Sequence, residues 1–340
     1  MSAAFNIDLT DAETYPSRRN EAWKYSDLKR YLREAPQPSP SAAVGRPGPF
    51  YDLGGEAIVF VNGRAVGVTD FIASGQQTLR LRYVSDATGT GHTAGARVSA
   101  RAGARLLLLE SHEGAGSAYA AHNTLELDVA AGAEVTRVVL VEEPEDAISV
   151  AEAHVKVEAG GVYRQTVIAT GAKLQRIETR ITHFAQGAQV QADGLYLLNE
   201  SRHADLTSVV RHVERDGATS QLIKGVARGA ARGVFQGKIV VERGADGTDA
   251  RMGHHALIAS ERAEIDAKPE LIIYADDVQC AHGNTVGALD ESALFYMQQR
   301  GVPADEARAL LTQAFLIEVI DRIEHEGARE VAREWLTARL

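Results

Sequence analysis

Two side chains able to ligate a metal stand two residues apart late in the chain, in Asp277-Val-Gln-Cys280-Ala-His282-Gly283. On an extended segment this spacing puts the Cys280 thiol and the His282 imidazole on one face, with Cα atoms about 7 Å apart, within reach of one metal. The same pair also reads as a buried cysteine beside a packed histidine. Cys280 is the only cysteine among 340 residues. Because an iron–sulfur cluster takes about four protein ligands, any cluster held here must be shared with a second chain. A single cysteine also excludes an intrachain disulfide framework and a cysteine-rich zinc module, and suits a reducing compartment.

The other candidate chemistry is weaker. Gly233-Val-Phe-Gln-Gly237-Lys238 is one residue short of a phosphate-binding loop and is followed by Ile239 instead of Ser or Thr, so ATP hydrolysis is not expected. Gly283-Asn-Thr-Val-Gly287 has Thr where a nucleophile elbow has Ser. The members of Asp276-Asp277 and of His254-His255 are adjacent in sequence, so on a strand they face opposite sides; they read as surface and packing residues. A β-helix enzyme acting on carbohydrate needs carboxylates or bases stacked at equal repeat positions, and no such register is legible. That enzyme, and an assembly module without cluster chemistry, are the rival readings.

The elements that must position Cys280 and His282 are repetitive. Glycines recur in similar surroundings at Gly103, Gly132, Gly160, Gly187, Gly217 and Gly247, at spacings of 29, 28, 27, 30 and 30. Strand-like runs flank them and no helical pattern intervenes. A period of this size signals stacked coils of two or more strands each, so a parallel β-helix is expected ahead of a β-sandwich with evenly spaced hairpins. Six coils at ~4.8 Å per layer give a core about 29 Å long.

Five of the nine prolines fall between Pro36 and Pro49, which reads as a linker. Before it, SRRNEAWKYSDLKRYLREA reads as one helical segment. From about Asp290 the period becomes helical again. The expected layout is a helical region over 1–35, a linker over 36–49, a β-helix over 50–288 and helices over 289–340. Around Phe315, Leu316, Val319 and Ile320 the helix is apolar on most of its circumference, so it needs cover on two sides, one offered by the last segment, AREVAREWLTARL, and the other by a partner protein.

With 46 acidic against 36 basic residues the net charge is −10, which disfavours a nucleic-acid backbone as partner. The first residues lack a cationic start before an apolar run, and no stretch approaches ~18 consecutive apolar residues, so neither a secretory signal nor a membrane span is expected. A cytoplasmic protein is the expectation.

Three motifs carry a specific likeness: Arg18-Arg19-Asn-Glu21-Ala-Trp23-Lys24-Tyr25; Lys268-Pro269-Glu270-Leu271 through Cys280-Ala-His282-Gly283; and Leu294-Phe295-Tyr296-Met-Gln-Gln-Arg300-Gly301. On these the chain resembles the SufB/SufD family of iron–sulfur cluster assembly scaffolds. It looks like the SufD branch, since SufB is longer and supplies cysteine ligands that this chain lacks. The resemblance implies a right-handed parallel β-helix between helical ends and a non-enzymatic role. It also implies pairing with a SufB-like paralogue through the β-helix edge, or with a second copy when alone, and docking of a SufC-like ATPase on the C-terminal helices. Carried over residue by residue, Cys280 and His282 match the motif at the SufB–SufD interface, where a transient iron–sulfur cluster forms. Tyr296 and Arg300 match nearby family positions, and Arg232 matches a further one in a region of variable spacing. No flavin is assigned to this chain.

Overall fold

The computed structural model describes residues 6–340. From Glu56–Val61 to Val278–Gly287 the strands wind into a parallel β-helix of about eight turns. Successive strands alternate between a ten-stranded and an eight-stranded sheet, so each pairs with the strand one coil away. The register repeats accordingly: Glu134 pairs with Val162, Val162 with Gln189, and Gln189 with Ala218. The only antiparallel strand ladder among the described residues joins Glu56–Val61 to Arg64–Ala65, which excludes the sandwich.

The glycine period marks one corner of every coil. Gly75, Gly103, Gly132, Gly160, Gly187 and Gly247 take left-handed φ between 60° and 75°, a conformation that needs no Cβ. The corners stack through backbone bonds, among them Gly103 N–H to Ala131 O, Gly187 N–H to Arg215 O and Gly247 N–H to Asp277 O (3.2, 3.0 and 2.7 Å). At Asp216-Gly217 the left-handed residue is Asp216 (φ 58°). Gly217 is required for space instead, since a Cβ there would lie 2.6 Å from His212 Nδ1 and 3.0 Å from His183 Nδ1. The six coils expected become about eight because Gly75 and the Asp276-Asp277 corner extend the same period at both ends, in different local surroundings.

Alternation puts one face of each strand into the barrel interior, where Leu79, Leu108, Val139, Phe235 and Met252 belong to one continuous core. The outer faces are covered differently. On the ten-stranded sheet lie α3 (Ala304–Ile320) and α4 (Glu326–Thr337), which follow α2 (Glu291–Gln299). Leu316, Val319 and Ile320, each 0% exposed, pack there with Leu107, Leu140 and Leu195. The last segment, α4, covers one side as expected, while the side expected of a partner protein is corrected: the chain's own ten-stranded sheet takes it.

On the eight-stranded sheet lies the N-terminal segment, with Ile7, Trp23 and Leu28 against Ile148, Val150 and Leu174. It is not the single helix the pattern suggests. It forms 3₁₀ turns at Ala12–Thr14 and Glu21–Trp23 and one α-helical turn, α1 (Leu28–Tyr31). Asn20 and Asp27 accept from the backbone N–H groups of Ala22 and Arg30 (3.2 and 3.1 Å), and each such cap starts a new turn and breaks the helix. The proline-rich stretch lies on the body: Gly91 N–H donates to Gln37 O and Ser39 N–H to Gly91 O, both at 2.8 Å.

Candidate functional site

The last strands of the two sheets, Glu264–Ile273 and Val278–Gly287, have no coil beyond them. All residues of both are partly or fully exposed, whereas the strands they rest on bury most of their core-facing positions. Register places Cys280 beside Ala250 and His282 beside Met252. Ala250 and Met252 face the core, so Cys280 and His282 share the interior-facing side of an uncovered coil. Cys280 packs against that core while His282 is exposed.

Burial pushes the Cys280 thiol above its ordinary pKa; a backbone hydrogen bond with Ala250 opposes the shift and Asp249 adds to it. The thiol is therefore protonated at neutral pH and becomes a good ligand only on giving up its proton to a metal or a base. Among the described residues no three His, Cys, Asp or Glu side chains converge to hold a metal. Cys280 and His282 fit a soft iron–sulfur cargo in donor type, but they form only part of a shell.

One coil inward the histidine pair is accounted for. His254 stacks on Phe235 (5.0 Å) and bonds through Nδ1 to Asn284 Oδ1 (2.7 Å) and through Nε2 to the Tyr196 hydroxyl (3.0 Å). Asn284 Oδ1 only accepts, so Nδ1 carries the proton and Tyr196 donates to Nε2. Burial lowers the His254 pKa to about 4, leaving it neutral. His255 faces the other way and bonds Thr285 Oγ1 at 2.7 Å.

The other sequence candidates fall into separate places. Tyr296 on α2 and Arg300 at its C-terminal cap come together, the guanidinium 5.1 Å from the ring, and Tyr296 is 60% exposed beside the exposed Phe295. Arg232 belongs to the opposite sheet from Cys280; it pairs with Asp266 at 2.6 Å and Glu264 at 3.5 Å, with Tyr25 stacked 6.0 Å away. Of the four docking candidates only Phe315 keeps surface, under the Lys224 ammonium at 4.5 Å. One contact had no counterpart in the sequence reading: Lys268 Nζ donates to Glu21 at 2.5 Å, tying together two motifs 247 residues apart.

Residues 83–315, well over half of the chain, match the family model described as SUF system FeS cluster assembly, SufBD core domain. An iron–sulfur cluster assembly SufBD family protein of Synechocystis is 30% identical over 214 residues, 63% of this chain and 47% of its own length. The iron–sulfur cluster assembly protein SufD of Escherichia coli is 31% identical over 160 residues, 47% of this chain and 38% of its own. SufD of Bacillus subtilis is 29% identical over 169 residues, 46% and 39%. The chain thus spans about half the length, or less, of these curated relatives. With the parallel β-helix and the open coil that carries Cys280 and His282, the match over residues 83–315 shows that the chain belongs to the SufBD family of iron–sulfur cluster assembly proteins.

Proposed function

We propose that the chain is a scaffold subunit with no reaction of its own, which pairs through its open coil with a SufB-like paralogue and shares a nascent iron–sulfur cluster with it. The observation that carries this is the incomplete ligand set on an uncovered coil: Cys280 and His282 point along the interior face where the next coil is missing. An exposed pair of edge strands is a ready template for another chain, and a β-helix end in particular matches a second β-helix end. His282, already exposed, is the stronger ligand; Cys280 joins once a metal displaces its proton. When the paralogue is absent, a second copy of this chain covers the coil. A reducing, cytoplasmic setting suits the single free thiol.

The SufC-like ATPase docks on what the C-terminal helices leave exposed: Phe295 and Tyr296 on α2, Leu310 on α3 and the half-buried ring of Phe315. Leu316, Val319 and Ile320 support this surface from beneath. Co-expression with the two partners tests the reading. All three chains co-purify, and Val286→Arg, at a 45% exposed position of the last strand, releases the paralogue while the ATPase stays bound. Undiminished pairing by the folded Val286→Arg chain contradicts the proposal.

A further inference from the structure

The open coil lacks a following coil to hold it, yet one segment from far away reaches it. The N-terminal motif lies on the outer face of the eight-stranded sheet, anchored on earlier coils. Its buried Trp23 ring stacks on the Arg176 guanidinium at 4.3 Å, and Arg176 is itself paired with Asp205 and Glu178, each at 2.6 Å. Ser26 Oγ donates to Asp205 at 2.5 Å, and Gln236 Nε2 donates to Ala22 O at 3.4 Å. From these anchors the motif extends to the last strand of that sheet at two points. Lys268 Nζ donates to Glu21, and Tyr25 stacks on Arg232, which in turn grips Asp266. Lys268 and Asp266 lie on Glu264–Ile273, the strand that leads directly into the one bearing Cys280 and His282. Lys268 is the more enclosed partner, its side chain 22% exposed against 73% for Glu21.

We infer that Glu21 and Lys268 are positioning residues: the N-terminal motif is a strap that clamps the open coil onto the body and so keeps Cys280 and His282 in register with Ala250 and Met252. The functional weight of this strap rests on the reading of that coil as the partner and cluster site. The contact also explains why the two motifs, each unremarkable in local structure, belong together. Glu21 starts a 3₁₀ turn whose Trp23 is the anchor, so the same short turn both grips the body and presents the carboxylate.

Cys280 is the only thiol, so its reaction with Ellman's reagent in the isolated full chain reports on the open coil alone. Glu21→Gln and Lys268→Met each raise that rate about two- to fivefold, the range that loss of a partly exposed ion pair supports. Lys268→Arg, which keeps the charge and the reach, reacts at the wild-type rate. Lys268→Met also cuts the 3.5 Å contact with Glu270 on the same strand, so the Glu21→Gln/Lys268→Met double variant reacts no faster than Lys268→Met alone, the contact that Glu21→Gln removes being already gone. Deuterium uptake over residues 264–287 rises in the same variants while uptake over residues 91–241 does not. Wild-type rates and uptake in both single variants overturn the strap, and so does an additive double variant. Neither readout uses iron or a partner, so the strap can fail without touching the cluster reading. Conversely, a His282→Ala complex with full iron content ends the cluster reading and leaves the strap standing.

Discussion

Replacing Ile320 by alanine separates a core role for α3 from a docking one. Ile320 is 0% exposed within the cluster that joins α3 and α4 to the ten-stranded sheet. The substitution removes three carbon groups at about 0.8 kcal/mol each, or ~2.4 kcal/mol of transfer free energy. The space left adds to this at about 24 cal/mol per Å³, so incomplete collapse brings the total to ~3–4 kcal/mol. Phe315, half-buried under Lys224, loses less on the same change: about 1–2 kcal/mol, including ~0.5–1 for the cation–π contact. Urea unfolding followed by near-ultraviolet circular dichroism, which reports Trp335 in this cluster, measures both. The expected order is a large midpoint loss for Ile320→Ala and a small one for Phe315→Ala. At a temperature where both are folded, Phe315→Ala impairs ATPase binding more. An Ile320→Ala chain of wild-type stability that has lost the ATPase refutes the assignment of Ile320 to the core.

Other outcomes follow from the interior. His183 and His212 stack at 3.9 Å and share Thr219 Oγ1 at 3.0 Å each; burial lowers both, His212 to about 4. A histidine depressed on folding binds its proton more readily unfolded, so its contribution is complete above the unfolded value of 6.5 and lost as pH falls towards about 4. The urea midpoint should therefore drop steeply between pH 6.5 and 4, and a midpoint flat over that interval counts against neutral, buried histidines. Gly217→Ala drives a Cβ into the same pair and should destabilise by about 1–3 kcal/mol, measured by thermal unfolding, where the exposed-corner change Gly132→Ala meets only its φ penalty. Iodoacetamide should alkylate Cys280 more slowly at pH 7 than it does a free cysteine, with the rate still rising beyond the pH at which the free thiol levels off; equal rates contradict a thiol raised by burial.

Much of the architecture is legible in the sequence because a coil corner imposes a local demand. A left-handed residue between two strands selects glycine, and the same demand repeated every coil becomes a period. The period stops being visible where a corner turns without a left-handed residue, as at Asp276-Asp277, or where the flanks change, as at Gly75. The Cys280–His282 pairing is legible for a similar reason, since alternation along one strand fixes which side chains share a face.

What the sequence hides is what packing at a distance decides. Leu316 and Ile320 look like surplus apolar surface until a sheet formed some hundred residues earlier covers them. The 3₁₀ turns around Glu21–Trp23 read as helix because the caps at Asn20 and Asp27 compete with helix only once the segment lies on its sheet. The Glu21–Lys268 contact spans 247 residues between two ordinary charged side chains, and no local pattern announces it.

If the open coil of this chain contributes His282, with Cys280 beside it, to a cluster completed by a partner, truncating the imidazole removes a ligand. Iron and acid-labile sulfide per complex, measured after anaerobic purification of the wild-type and His282→Ala complexes at equal subunit content, test it most directly. The His282→Ala complex should assemble intact with clearly reduced iron and sulfide, and Cys280→Ala should show a milder loss. Equal iron and sulfide in wild-type and His282→Ala complexes contradict it.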